Sequence, residues 1–158
     1  MSFVLDASVA LLWLVPETKL EGVDSAVATL KSLKESQAVV PSLFALKAAN
    51  VVAKVESKGL VTEADSQRFI ALIGRLNLVT DQATATHALG ATLNLARRYR
   101  LSAYDAGYLE LARRTGLPLA TLDANLAEAA TLAGVPIFGT RWFRRALSSL
   151  RMQQPFFV

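Results

Sequence analysis

The chain has 158 residues, 53% of them hydrophobic, a formal charge of +4 and no cysteine. That length suits one domain able to bury a full core; the missing cysteines exclude disulfides and thiolate metal sites, and a single histidine, His87, leaves little for zinc. The positive charge favours an acidic partner, nucleic acid ahead of a membrane surface, because no basic amphipathic anchor opens the chain.

The apolar opening MSFVLDASVALLWLVPE carries Asp6, lacks a basic start and is too short to span a bilayer, so the expected compartment is the cytoplasm. Within it, FVL at 3–5 predicts a strand and 7–15 a helix, with Trp13 and Leu14 on a core or dimer-contact face. A second helical pattern covers 18–35, and AVV at 38–40 predicts the next strand. Helices then follow over 42–58 and 62–74, with Thr62 as a cap and Gly59 as a stop. NLV at 77–79 is the third strand, and helical periodicity resumes over 82–98 and 102–115, the latter opened by Ser102 and stopped by Gly116. LPLATL at 117–122, a helix over 123–133 ended by Gly134, and VPIF at 135–138 complete the pattern. Strands alternating with helices predict a three-layer α/β/α domain with a mainly parallel sheet of about five strands.

This domain is placed at 1–140. Residues 141–158 form an Arg-rich amphipathic C-terminal extension, with Phe143, Leu147 and Leu150 as its apolar stripe and Arg141, Arg144, Arg145 and Arg151 as its charge. No GxGxxG or GxxxxGK[ST] loop occurs, which argues against nucleotide-cofactor chemistry of those kinds.

Parallel sheets place their working sites beyond the carboxyl ends of the strands. Asp6 closes FVLD and Asp123 closes LPLATLD, while Asp105 lies in the first turn of the helix opened by Ser102. Each taken singly fits a helix cap, and Ser102 with Asp105 matches a capping box. Taken together, three converging carboxylates repel one another unless a divalent cation neutralises them, and Mg²⁺ or Mn²⁺ suits oxygen ligands. Such an ion activates water and stabilises charge on phosphate, which points to phosphodiester cleavage.

The stretch PSLFALKAANVVAK adds an anomaly. Lys47, Asn50, Lys54 and Lys58 share one narrow polar line on an otherwise apolar helix, and such a line faces either water or a polar cleft.

With these residues in hand, the chain resembles the PIN-domain ribonucleases, in particular the VapC-type toxins of bacterial toxin–antitoxin pairs. The likeness covers about 1–138 and rests on VLDASVALLWLVPE, VPSLFALKAANVV, LSAYDAGYLELARRTGLPLATLD and LAEAATLAGVPIF, in that order. It implies a metal-dependent endoribonuclease, an RNA substrate, a cognate antitoxin and a homodimer. By motif, Asp6, Asp105 and Asp123 match the catalytic acids, with Asp6 and Asp105 as the principal metal ligands; Ser8 and Ser102 match small hydroxyl residues near the site. The family's remaining acid is a Glu in P-x-L-x-x-x-E-x-x-N, and this chain has Lys47 there, with Asn50 closing the motif. An ammonium among three carboxylates takes over part of the charge balance a metal would supply, so weaker metal binding is expected. Two other functions fit the same residues: a catalytically silent PIN-fold binding module, or a PIN nuclease in RNA maturation or acting on DNA.

Elsewhere, His87 reads as an ordinary helix-surface residue. Tyr104 and Tyr108, four apart, read as packing beside Asp105. Arg97, Arg98, Arg100, Arg113 and Arg114 read equally well as phosphate contacts or as solvated helix ends.

Overall fold

The structure, a computed structural model, describes residues 2–14 and 22–139. The C-terminal extension, residues 15–21 and Met1 lie outside the described residues. Chain order is β1 (Ser2–Leu5), α1 (Ala7–Ala10), a 3₁₀ turn (Leu11–Trp13), α2 (Val23–Ser32), β2 (Gln37–Val40), α3 (Phe44–Ser57), α4 (Glu63–Arg75) and β3 (Leu78–Thr80). There follow α5 (Thr84–His87), a π-helical turn (Ala88–Thr92), α6 (Leu93–Tyr99), α7 (Ala103–Thr115), β4 (Leu119–Ala120) and α8 (Ala124–Leu132).

The sheet has the order β3-β2-β1-β4, with every pair parallel. VPIF does not extend it as a full fifth strand: it makes one parallel bridge, Leu119 to Ile137, and stacks Phe138 on Phe3 with ring centroids 4.1 Å apart. The expectation of an α/β domain with a parallel sheet flanked by helices holds.

β1 lies at the centre, and Phe3, Val4 and Leu5 are fully buried in succession, as a strand covered on both faces requires. Each such side chain contributes roughly 1.5–3 kcal/mol of burial. From β1 the chain goes first to β2 on one side and later to β4 on the other. The carboxyl end of β1 is therefore the switch point where an open parallel sheet leaves a crevice. Asp6 is the next residue.

The caps act as the sequence predicts at α4. The Thr62 hydroxyl accepts from the Asp65 amide at 3.1 Å, and the Asp65 carboxylate accepts from the Thr62 amide at 2.9 Å, a full capping box. Trp13 is buried and its ring N–H donates to the Ala26 carbonyl at 2.8 Å, which ties the first helical segment to α2. At Gly107 a Cβ would stand 3.2 Å from Leu43 Cδ2. The missing side chain lets α7 lie close to the start of α3, and this packing brings Asp105 to Lys47.

Candidate active site

Asp6 has extended backbone (φ −79°, ψ 142°) and its amide donates to the Ala120 carbonyl at 2.9 Å, fixing it between β1 and β4. Its side chain caps nothing. One carboxylate oxygen, Oδ2, accepts from Ser8 Oγ at 2.6 Å and from Thr121 Oγ1 at 2.8 Å. The other, Oδ1, is buried without a hydrogen bond, and Lys47 Nζ lies 3.7 Å from it. With 1% exposure, Asp6 is a buried carboxylate, tolerable only where charge and donors surround it.

Asp105 is approached by the same ammonium, Lys47 Nζ to Oδ1 at 3.0 Å. Its amide donates to Ser102 Oγ at 3.1 Å, yet its carboxylate returns no bond to the Ser102 amide. Only half of the expected capping box forms, because the carboxylate is turned to Lys47.

Asp123 is the N-cap of α8, its Oδ1 accepting from the Leu126 amide at 2.8 Å. Capping coexists here with membership of the acidic hollow. Burial raises the Asp123 pKa, and the charges of Asp105 and Asp6 push it further; the Leu126 amide and Lys47 oppose them without winning.

Thr121, which sequence reasoning missed, joins the acids. Its hydroxyl donates to Asp6 Oδ2 and accepts from the Asp123 amide at 3.1 Å. The signal was available in its position: LPLATL predicts an extended stretch to 122, and alternate residues of an extended stretch share a face, although β4 itself ends at Ala120 and Thr121 and Asp123 follow it. Ser8 completes the lattice by accepting from the Leu122 amide at 3.0 Å.

Lys47 sits in the first half of α3 with its side chain 18% exposed. Burial alone would lower its pKa, but the charges of Asp6 and Asp105, aided by Asp123, raise it, so the amine stays protonated. At about 4 Å and an effective dielectric near 20, each such pair is worth roughly 4 kcal/mol before desolvation. The ammonium also lies 5.2 Å from the centroid of the Tyr108 ring, within cation–π range. Tyr108 is fully buried; burial and then the Asp6 charge push its phenol pKa up, and it stays neutral.

The other expected lining residues divide. Ser102 caps α7 from an exposed position, and Asn50 is exposed, one turn beyond Lys47, with no hydrogen bond to the acids. Tyr104 does not pack beside Asp105 as expected. It is 67% exposed, because α7 enters the core only from Ala106 onward. Arg114 is removed from the phosphate-binding candidates: its guanidinium binds Asp81 Oδ2 at 2.8 Å and, through Nε, Glu110 Oε1 at 2.7 Å. His87, on a partly buried face rather than open surface, stands 3.8 Å from the same Glu110 oxygen.

A divalent ion makes specific demands on such a donor set. Mg²⁺ requires near-octahedral oxygens at about 2.0–2.1 Å, and the unpartnered Asp6 Oδ1 has the chemistry of such a ligand. Lys47 Nζ, however, stands at 3.0 and 3.7 Å from the two carboxylates that would hold the ion. Among the described residues no group of three or more carboxylate or histidine side chains is arranged to hold a metal. With Lys47 in place the residues do not fit the ion.

The family profile of the PIN domain matches residues 3–132. The chain belongs to the PIN domain family. It is 29% identical over 128 residues to Ribonuclease VapC3 of Pyrobaculum aerophilum, an alignment covering 81% of this chain and 94% of that one. The crystal structure of PAE2754, also from Pyrobaculum aerophilum, superposes with a TM-score of 0.62 at 19% identity, covering 94% of this chain and 90% of the other, which shows a shared PIN fold. No helix among the described residues is long and apolar enough to cross a membrane.

Proposed function

We propose that this PIN-domain protein is an endoribonuclease of the VapC toxin type, the toxin half of a toxin–antitoxin pair, whose phosphodiester hydrolysis is held low by Lys47. The observation that carries the reading is the seating of the Lys47 ammonium between Asp6 and Asp105 at the switch point of the sheet, with the charge of Asp123 close enough to be felt by all three. Asp6 and Asp105 are the principal charges of the pocket. Asp123, which caps α8 beside these two acids, would orient the attacking water. The likeness to a protein named Ribonuclease VapC3 supports RNA as the substrate.

A cognate antitoxin and a homodimer belong to the same proposal. Leu60 and Ile70, 56% and 54% exposed at the α3–α4 connection and on α4, offer apolar area outside the pocket. A second reading, a silent PIN-fold module that binds RNA or antitoxin without cutting, is favoured by the paired state of Lys47.

The deciding experiment measures RNA cleavage with Mg²⁺ or Mn²⁺ for the protein and for Lys47→Glu. The nuclease reading expects metal-dependent cleavage that is weak in the parent and strong in the variant. Equal rates in the two proteins would remove Lys47 from its restraining role, and an inert Lys47→Glu protein that still binds RNA would establish the silent module.

A further inference from the structure

Four helices of the described chain end in the same way. The amide of the residue after the left-handed position donates back to the carbonyl five residues earlier: Leu60 to Val55 at 3.0 Å, Leu101 to Ala96 at 3.0 Å, Leu117 to Ala112 at 3.1 Å, and Val135 to Ala130 at 2.8 Å. This is the Schellman arrangement, which needs a residue of positive φ just before the donor. Three of the four use glycine there, Gly59 (φ 69°), Gly116 (φ 68°) and Gly134 (φ 77°). The fourth uses Arg100 at φ 53°, the one non-glycine residue of positive φ among the described residues. A side chain in that region is strained against its own backbone, and arginine has no short polar group to relieve it.

The position of this exception singles it out. Arg100 is two residues before the Ser102 cap and five before Asp105, so it stands at the pocket end of α7. Arg97 and Arg98, in the last turn of α6, closely precede it, and all three are exposed. They differ from Arg68 and Arg114, which are paired with carboxylates. None of the three enters an ion pair among the described residues. Tyr104, exposed on the far side of Ser102, presents a ring of the kind on which unpaired bases stack.

We infer that Arg100 is retained at a glycine position because its guanidinium, with Arg97 and Arg98, holds the phosphate backbone of single-stranded RNA leading into the acidic pocket. The inference rests on RNA being the substrate and adds the surface that positions it. The guanidinium suits a phosphate by its paired donors, and a cationic ridge beside an anionic hollow holds the strand where the hollow alone would repel it.

The test uses the full chain, a mixed-sequence single-stranded RNA oligonucleotide, EDTA to suppress hydrolysis, and binding measured across a salt series. Arg100→Gly should have an unchanged or higher Tm, since strain is relieved, while RNA affinity falls. The slope of log K against log salt should become shallower by about 0.7 for each phosphate that the variant no longer neutralises. Arg113→Ala serves as the control, because Arg113 lies eight residues, about 12 Å, along α7 from Asp105; its slope should match the parent's. Unchanged RNA binding by Arg100→Gly overturns the inference while leaving the proposed function intact, whereas a parent protein that does not bind RNA overturns both. A lowered Tm for Arg100→Gly would assign the arginine to the fold, and an equal fall in affinity with Arg113→Ala would dissolve the surface into general charge.

Discussion

Lys47 and Asp105, 58 residues apart in the chain, meet at 3.0 Å through a charge-assisted hydrogen bond. The pairing has a visible cost at α7. At α4, Thr62 and Asp65 exchange both bonds of a capping box, whereas at α7 Ser102 receives the Asp105 amide and nothing returns. The carboxylate that would finish the cap is committed to the pocket.

The first consequence concerns charge. Lys47→Glu changes the local charge by two units and places four acids together, so the variant should be less stable than the parent in EDTA. Mn²⁺ should restore it, because a ligand of the folded state alone stabilises by about 2.7 kcal/mol at 100 times its Kd. Thermal melts of both proteins with and without Mn²⁺ check this. A parent shift as large as the variant's would show that Lys47 does not exclude the ion.

Removing the ammonium without replacing it leaves Asp6 buried beside one missing counter-charge. Lys47→Ala should cost about 3 kcal/mol, read by urea denaturation. Combined with Asp6→Asn the two losses should fall short of their sum by about 1–3 kcal/mol, since the residues share one interaction. Strict additivity would place the stabilising partner of Lys47 elsewhere.

Thr121→Val keeps the shape of the side chain but deprives Asp6 Oδ2 of one donor and the Asp123 amide of its acceptor. A loss of about 1–3 kcal/mol is expected from stranding these buried groups. Thr131→Val, on exposed α8 surface with a hydroxyl bonded within its own helix, should cost much less. Equal losses would mean that Thr121 is an ordinary helix-flanking threonine.

The pH dependence can be read at Asp81. Burial works to raise its pKa, but the Arg114 hydrogen bond, with help from Thr84 and the Ala83 amide, brings it below the ordinary 3.8. A depressed carboxylate stabilises the fold above its unfolded pKa, and the contribution is lost as pH falls through the lower folded value. Asp81→Asn should therefore be less stable than the parent near neutrality, with the gap closing below about pH 3.9. Denaturation curves across the acid range test this, and a gap independent of pH would show that the Arg114 pairing carries no net stability.

Much of this site was legible in the chain. Asp6 and Asp123 follow short apolar strands, and parallel-sheet geometry sends strand ends to one edge, so their convergence was predictable from local pattern. Lys47 stood out because it interrupts an apolar helix at the position of an expected acid. Thr121 was hidden, since a threonine beside a strand is ordinary by composition and acquires its role only from the Asp6 oxygen it meets just past the paired ends of β1 and β4. Tyr104 and Tyr108 share a helix but not an environment, because the sequence spacing does not reveal where α7 enters the core. Arg114 looked like its neighbours Arg97, Arg98 and Arg113 until Asp81 and Glu110 were seen to claim it.

The sequence by itself determined the alternation of strands and helices, the caps at Thr62 and Ser102 and the glycine stops, all of which depend on interactions within a few residues. Only the tertiary structure decided which partner each charge takes, because Coulomb energy depends on distance and burial rather than on separation along the chain. It seats Lys47 between Asp6 and Asp105 where a divalent ion is expected, and it leaves Arg100 in a backbone conformation that its neighbours in the fold reserve for glycine.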